Sequence, residues 1–233
     1  VELATGNATK VSQHEGQAAF NAQDFSPDGQ WLYYTANDQG EFAQLRRVNL
    51  STWAHEPVKS ADWDIFDASF SHGGKYLAVA TNVDGSTRVQ LFDVASGAEV
   101  ALPEMPAGEV RNLRVSRSEK RLAFYLNGDR QPNDLYVLEL GGGEPKQLTT
   151  SLNPAIDPAD LVDSTVVRFA SFDGMAIPNI LWKPHQASAD NPAPVLLDFA
   201  SAGRVKRHRI RGKQDFQFFT TRLNTHLRPS WKP

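Results

Sequence analysis

A nine-residue pattern returns every 45 residues in this chain. A fixed period of that length restricts the fold more than any other feature, because each copy must be one supersecondary unit that buries its apolar surface against the next. Phe25-Ser26-Pro27-Asp28-Gly29-Gln30-Trp31-Leu32-Tyr33 recurs as Phe70-Ser71-His72-Gly73-Gly74-Lys75-Tyr76-Leu77-Ala78. A weaker copy follows as Val115-Ser116-Arg117-Ser118-Glu119-Lys120-Arg121-Leu122-Ala123. In each copy an apolar residue and Ser end one strand, turn-forming or polar residues reverse the chain, and an aromatic or aliphatic run opens the next strand (Trp31 to Thr35, Tyr76 to Thr81, Leu122 to Leu126). A second turn at Asn37 to Gly40, Asp84 to Ser86 and Asn127 to Asp129 leads to a third strand at Leu45 to Leu50, Val89 to Val94 and Leu135 to Leu140. Units of this kind are β-propeller blades of about four strands.

Helical solenoids are excluded by the pattern, since no segment of the repeat region keeps apolar residues at i, i+3, i+4 and i+7 over three turns. Three blades do not close a ring, which takes roughly four to eight. The fold expected is therefore mainly all-β: an incomplete propeller of about three blades over residues 1–150, the end of a longer propeller whose earlier blades lie outside this chain. That the chain starts at Val1 rather than Met agrees with a processed or truncated N-terminus.

Beyond the third blade the pattern changes. Residues 151–163 carry Pro154 and Pro158 and are expected to be a linker. Val166 to Lys183 has the form of a hairpin about an Asp173-Gly174 turn, and Pro194-Val195-Leu196-Leu197-Asp198 suits a buried strand of an α/β sheet. The Ser-Pro-Asp-Gly repeats, the Asp160-Leu161-Val162 linker, Ser171-Phe172-Asp173-Gly174 with Ile177-Pro178, the Lys183-Pro184 loop and Pro194-Val195-Leu196 together resemble the prolyl oligopeptidase family of serine peptidases, in its dipeptidyl and acylaminoacyl-peptidase-like branch. The resemblance covers roughly residues 15–197, and the repeats by themselves also suit other WD-like or TolB-type propellers. It implies a propeller that filters short peptides for an α/β-hydrolase domain with a Ser, Asp and His triad. Residues 164–198 would then be the first strands of that domain, truncated, with peptide substrate as the partner of the parent enzyme.

The catalytic machinery of such a domain is not found. Where the family carries a glycine-rich oxyanion loop, this chain has Asp198-Phe199-Ala200-Ser201-Ala202-Gly203-Arg204-Val205-Lys206-Arg207. No Gly-x-Ser-x-Gly elbow exists, and Ser201, the nearest approach to one, is expected to be an ordinary loop serine. The chain has no Cys, which removes disulfides, thiolate zinc sites, iron–sulfur clusters and thiol catalysis. His14, His55, His72, His185, His208 and His226 show no spacing that would bring two imidazoles to one metal, and each is expected to face solvent. Gly141-Gly142-Gly143 opens no helix and is not a phosphate loop. The resemblance implies that one or two of the carboxylates at Asp62, Asp64 and Asp67 face the propeller tunnel and recognise a peptide amino terminus, as acidic propeller side chains do in some family members, with solvated strand-end charges as the plainer reading. No catalytic residue, metal or cofactor is assigned.

Charge divides the chain at the same place. Residues 199–233 hold nine basic residues and one acid, net +8, so the total of −3 leaves −11 for residues 1–198. Arg204 to Lys213, with Phe216, Phe218, Phe219 and Trp231, have the composition of a nucleic-acid contact, but the segment has no repeat and no recognisable nucleic-acid fold. An irregular, disordered basic tail made by a reading-frame shift or a premature truncation is expected instead, with no nucleic-acid partner. No apolar run approaches the roughly 20 residues of a membrane helix, so no membrane partner is expected. The compartment is left unknown, with a soluble chain of the cytoplasm or periplasm as the expectation. Sequencing the encoding DNA tests the frame shift. A Gly-rich loop and Gly-x-Ser-x-Gly are expected in another frame after codon 198, and their absence from both alternative frames rejects it.

Overall fold

A computed structural model describes residues 3–170, 172, 174, 176–198 and 216–220, with 196–198 and 216–220 described through their backbone. It divides into two compact units, Val1–Asn127 with Asn133–Thr150, and Gly128–Pro132 with Ser151–Pro233. The first unit consists of three four-stranded antiparallel sheets, each ordered as the chain runs. The first blade holds β1 (Phe20–Phe25), β2 (Trp31–Ala36), β3 (Gln44–Asn49) and β4 (His55–Lys59). The second holds β5 (Ile65–Phe70), β6 (Tyr76–Val83), β7 (Ser86–Asp93) and β8 (Glu99–Val100), and the third β9 (Glu109–Val115), β10 (Arg121–Asn127), β11 (Asp134–Glu139) and β12 (Lys146–Gln147). The sheets do not close into a ring among the described residues, and the fold is an incomplete all-β propeller.

Alternation along the middle strands explains the stacking, because successive side chains of a strand leave by opposite faces. On β6, Leu77 and Val79 join Tyr33, Leu45, Ile65 and Ala68 in a core between the first and second blades. Tyr76 and Ala78 leave by the other face and meet Leu91, Val110, Leu113, Leu122, Phe124, Leu126, Tyr136 and Leu138 between the second and third. One strand thus feeds two cores, which is why its sequence is apolar without interruption from Tyr76 to Ala80. On β2, Tyr33 belongs to the core with the second blade, while Tyr34 and Ala36 pack with Val48 on the opposite face.

The repeat motif makes the turn between the first two strands of each blade. Ser26 N–H donates to the Trp31 carbonyl and Trp31 N–H to Ser26 Oγ, both at 2.9 Å, so the serine closes the loop with backbone and side chain together. Ser71 and Tyr76 repeat the pair at 2.8 and 2.9 Å, and Ser116 and Arg121 at 2.8 and 3.1 Å. Gly74 has φ +76°, and a Cβ there would lie 2.6 Å from Pro27, so both the backbone and the neighbouring blade's turn require glycine.

In the second unit, β13 (Ser164–Ala170) pairs with β14 (Ala176–Trp182) in a hairpin running from Ser164 opposite Trp182 to Ala170 opposite Ala176. Of the turn anticipated there, Gly174 takes φ +84°, while Asp173 lies outside the described residues. Two further strands, β15 (Val195–Asp198) and β16 (Phe216–Thr220), complete a sheet of order β13-β14-β16-β15, with β15 and β16 parallel. Two corrections follow. The tail after residue 198 is not irregular throughout, since the aromatic run Phe216–Thr220, rich in residues that favour strands, pairs with both β14 and β15. Val195 is also 62% exposed rather than buried, and β15 stands at the end of the strand order among the described residues.

The segment expected as a linker contains a 3-10 turn, Pro158–Asp160, whose Asp157 cap accepts from Ala159 N–H at 2.9 Å. No described helix is long and apolar enough to cross a membrane. Phe124 is fully buried and stacks on Tyr136 with ring centroids 5.6 Å apart, so Phe124→Ala is expected to cost about 3–5 kcal/mol of stability. A fall in denaturant midpoint at unchanged slope checks this.

Candidate functional site

Strands β1, β5 and β9 each form an edge of their sheet, so part of their backbone has no ladder partner within the blade. Across the first seam, side chains of β1 meet the exposed backbone of β5. Gln23 Nε2 donates to the Phe66 carbonyl at 3.4 Å, and Gln23 Oε1 accepts from Ala68 N–H at 3.1 Å, so one amide clamps both sides of Asp67. Asp24 Oδ2 accepts from Phe70 N–H at 2.9 Å while its Oδ1 accepts from Phe25 N–H at 2.8 Å. A bulge falls in each of these strands, between Ala22 and Asp24, between Ile65 and Asp67, and in β9 opposite Ala123 to Tyr125. Bulges re-aim the side chains beside them.

Asp67 is the titratable group that this arrangement perturbs. It is half-buried, and burial holds its carboxyl above the ordinary value of 3.8; Arg114 on β9 acts against that rise, Asp24 adds to it, and the nearby Ala68 amide dipole lowers it slightly. Charges on the first strands of the two neighbouring blades therefore act on this carboxylate in opposite senses. An ammonium group brought beside Asp67 would relieve the cost of its ionisation, which is the chemistry by which such a site takes a cationic ligand.

The other sequence candidates have different places. Asp62 is exposed in the loop before β5. Asp64 accepts from Ala43 N–H at 2.8 Å through its side chain and from Asn82 N–H at 2.9 Å through its carbonyl, and so ties strand ends. His14, His55, His72 and His185 are exposed. His14 Nδ1 bonds the Ser12 carbonyl at 2.8 Å, His55 Nδ1 the Tyr34 hydroxyl at 2.8 Å, and His185 Nε2 the Leu161 carbonyl at 3.3 Å; none of these pairings sets a histidine on a serine hydroxyl. Ser201, His208, His226 and the basic run Arg204 to Lys213 lie outside the described residues, as does Trp231. Among the described residues no group of three or more His, Asp or Glu suits a metal.

Sequence reasoning missed Asp24 and Arg114. The signal was the period itself, which makes residues 24, 69 and 114 equivalent, each one place before the anchors Phe25, Phe70 and Val115.

Because the folded pKa of Asp67 is raised, the stability it contributes is present below its unfolded value and is lost as pH rises through the folded one. Asp67→Asn is therefore expected to raise the thermal midpoint at pH 7 and to lose that advantage below about pH 3.8. Thermal melts of both proteins across this range check the sign.

No protein-family model matches the sequence, and no curated protein matches it significantly. Solved structures do match. A prolyl endopeptidase from a study of two such enzymes aligns with 87% of this chain at 15% identity and a TM-score of 0.62, over 31% of its own length. A puromycin-hydrolysing peptidase of Mycobacterium tuberculosis aligns with 87% of this chain and 33% of its own, at 15% identity and TM-score 0.66. Prolyl oligopeptidase B from Galerina marginata aligns with 78% and 26%, at 18% identity and TM-score 0.62. The chain thus spans a third or less of the length of these peptidases, and over that span it has their fold.

Proposed function

We propose that the chain is the substrate-gating propeller portion of a serine peptidase acting on short peptides, joined to the first strands of the hydrolase sheet, and that it hydrolyses no peptide bond by itself. The observation that carries this reading is the extent of the structural match. An alignment over 87% of the chain reaches past the three blades, which end at Thr150, into the sheet that follows them. The seam between β1 and β5, with Asp67 at its centre, would give the propeller a place to receive a charged peptide end, Asp67 taking the α-ammonium. Hydrolysis would require a serine nucleophile, a histidine base in hydrogen-bond reach of it and an acid orienting that histidine.

A second reading is a non-enzymatic propeller that binds proteins or peptides. The same seam supports it, because recognition there needs no hydrolase.

Two measurements on the purified chain test the proposal. With aminoacyl and acylaminoacyl chromogenic substrates no turnover is expected, and turnover that disappears in Ser201→Ala overturns the assignment of an inactive portion. By calorimetry, short peptides with a free amino end are expected to bind and to lose about tenfold in affinity on Asp67→Asn. Binding of a folded protein, with no affinity for short peptides, selects the second reading.

A further inference from the structure

The Ser-Pro-Asp-Gly turn of the first blade contains its own carboxylate. Asp28 Oδ1 accepts from Ser26 Oγ at 2.5 Å and from Gln30 N–H at 3.0 Å, filling the concave side of the turn. In the second blade the equivalent of Asp28 is Gly73, which has no side chain to offer. The serine and the backbone donors of that turn are nevertheless satisfied. Glu119 Oε1, from the turn of the third blade, accepts from Ser71 Oγ at 2.6 Å, Gly73 N–H at 3.1 Å and Lys75 N–H at 3.3 Å. Ser71 and Lys75 are the counterparts of Ser26 and Gln30, one period later.

We propose that Glu119 is an inter-blade clasp, supplying from the third blade the turn carboxylate that the second blade lacks and so fastening the two blades at their turns.

A second, independent feature supports this assignment. Glu119 stands where the first two blades have Gly29 and Gly74, with φ of +67° and +76°, and it keeps the same backbone at φ +57°. A left-handed conformation is strained at a residue that carries a Cβ. Glycine would remove that strain, and glutamate bears it in the position from which its side chain reaches the neighbouring turn. Gly73 matches it from the other side, since a Cβ on Gly73 would lie 2.8 Å from Glu119 Oε1. The two departures from the repeat are therefore one exchange: Asp to Gly in the second blade and Gly to Glu in the third. The carboxyl of Glu119 is held below its ordinary value of 4.5, first by the Ser71 hydroxyl; burial, next in size, opposes this, and the Lys75 and Gly73 amides and the Lys75 charge each lower it further.

Amide hydrogen exchange on the full chain tests the clasp. In E119G, which gives the third turn the backbone residue of the other two, the Lys75 amide is expected to exchange about tenfold faster or more, the loss of a charged hydrogen bond. The Gln30 amide, capped within its own blade by Asp28, should not change. In the double variant G73D/E119G the carboxylate is returned in the manner of the first blade, and Lys75 protection is expected to recover. Unchanged Lys75 exchange in E119G overturns the proposal, and so does a double variant whose Lys75 stays fast. If E119G alone does not fold, recovery of folding by G73D/E119G supports the clasp, and failure of both overturns it.

Discussion

A blade of this propeller is apolar on both faces, and that condition governs the rest of the structure. Tyr76 and Ala78 leave β6 on one side while Leu77 and Val79 leave on the other, and all four are buried. Apolar surface removed from water contributes about 25 cal/mol per Å². A sheet covered on one side only would forfeit half of that gain, so the stable unit is the stack rather than the blade, as in other repeat architectures. The first blade carries the same condition outward, with Tyr34, Ala36 and Val48 buried on the face turned away from the second.

Stacking sheets side by side also brings strand edges together, and edges carry unpaired polar backbone. Here the seams are polar where the faces are apolar. Gln23 and Asp24 satisfy the edge of β5 between the first two blades, and Glu119 satisfies the turn of the second blade from the third. The side chains that do this cannot be apolar, and they lie where the blades must fit closely. Asp67 belongs to the same edge strand but differs from these in that burial works against its charged form.

Much of the fold was legible because the repeat is punctuated by residues with strong backbone demands. The anchors Phe25, Phe70 and Val115 end β1, β5 and β9, and the second and third strands of every blade begin and end within three residues of where the turn residues place them. The fourth strands were not legible. Two of them, Glu99–Val100 and Lys146–Gln147, have two residues each, too few for any alternation to show. The strand at Phe216–Thr220 was hidden by the arginines around it, whose charge dominates the composition of the segment. For the candidate site, Asp67 was read from its residue type, whereas Asp24 and Arg114 act on it from other blades, which a single copy of the repeat does not bring into view. Gly73 and Glu119 looked like decay of the motif when each copy was read alone, and the compensation becomes visible when the copies are read against each other.

The five residues Gly128–Pro132 belong to the second compact unit although they lie in sequence between β10 and β11 of the third blade. Asp129 is the reason: its Oδ2 accepts from Ser164 N–H and its Oδ1 from the Trp182 indole, both at 2.8 Å, while Arg130 donates to the Pro158 carbonyl at 2.8 Å. A genetic exchange that joined new blades to this sheet at residue 150 would leave the start of β13 and the end of β14 without their shared carboxylate. The loop between β10 and β11 and the hairpin of β13 and β14 thus share one carboxylate, and a cut that keeps those bonds falls inside the third blade rather than at its end.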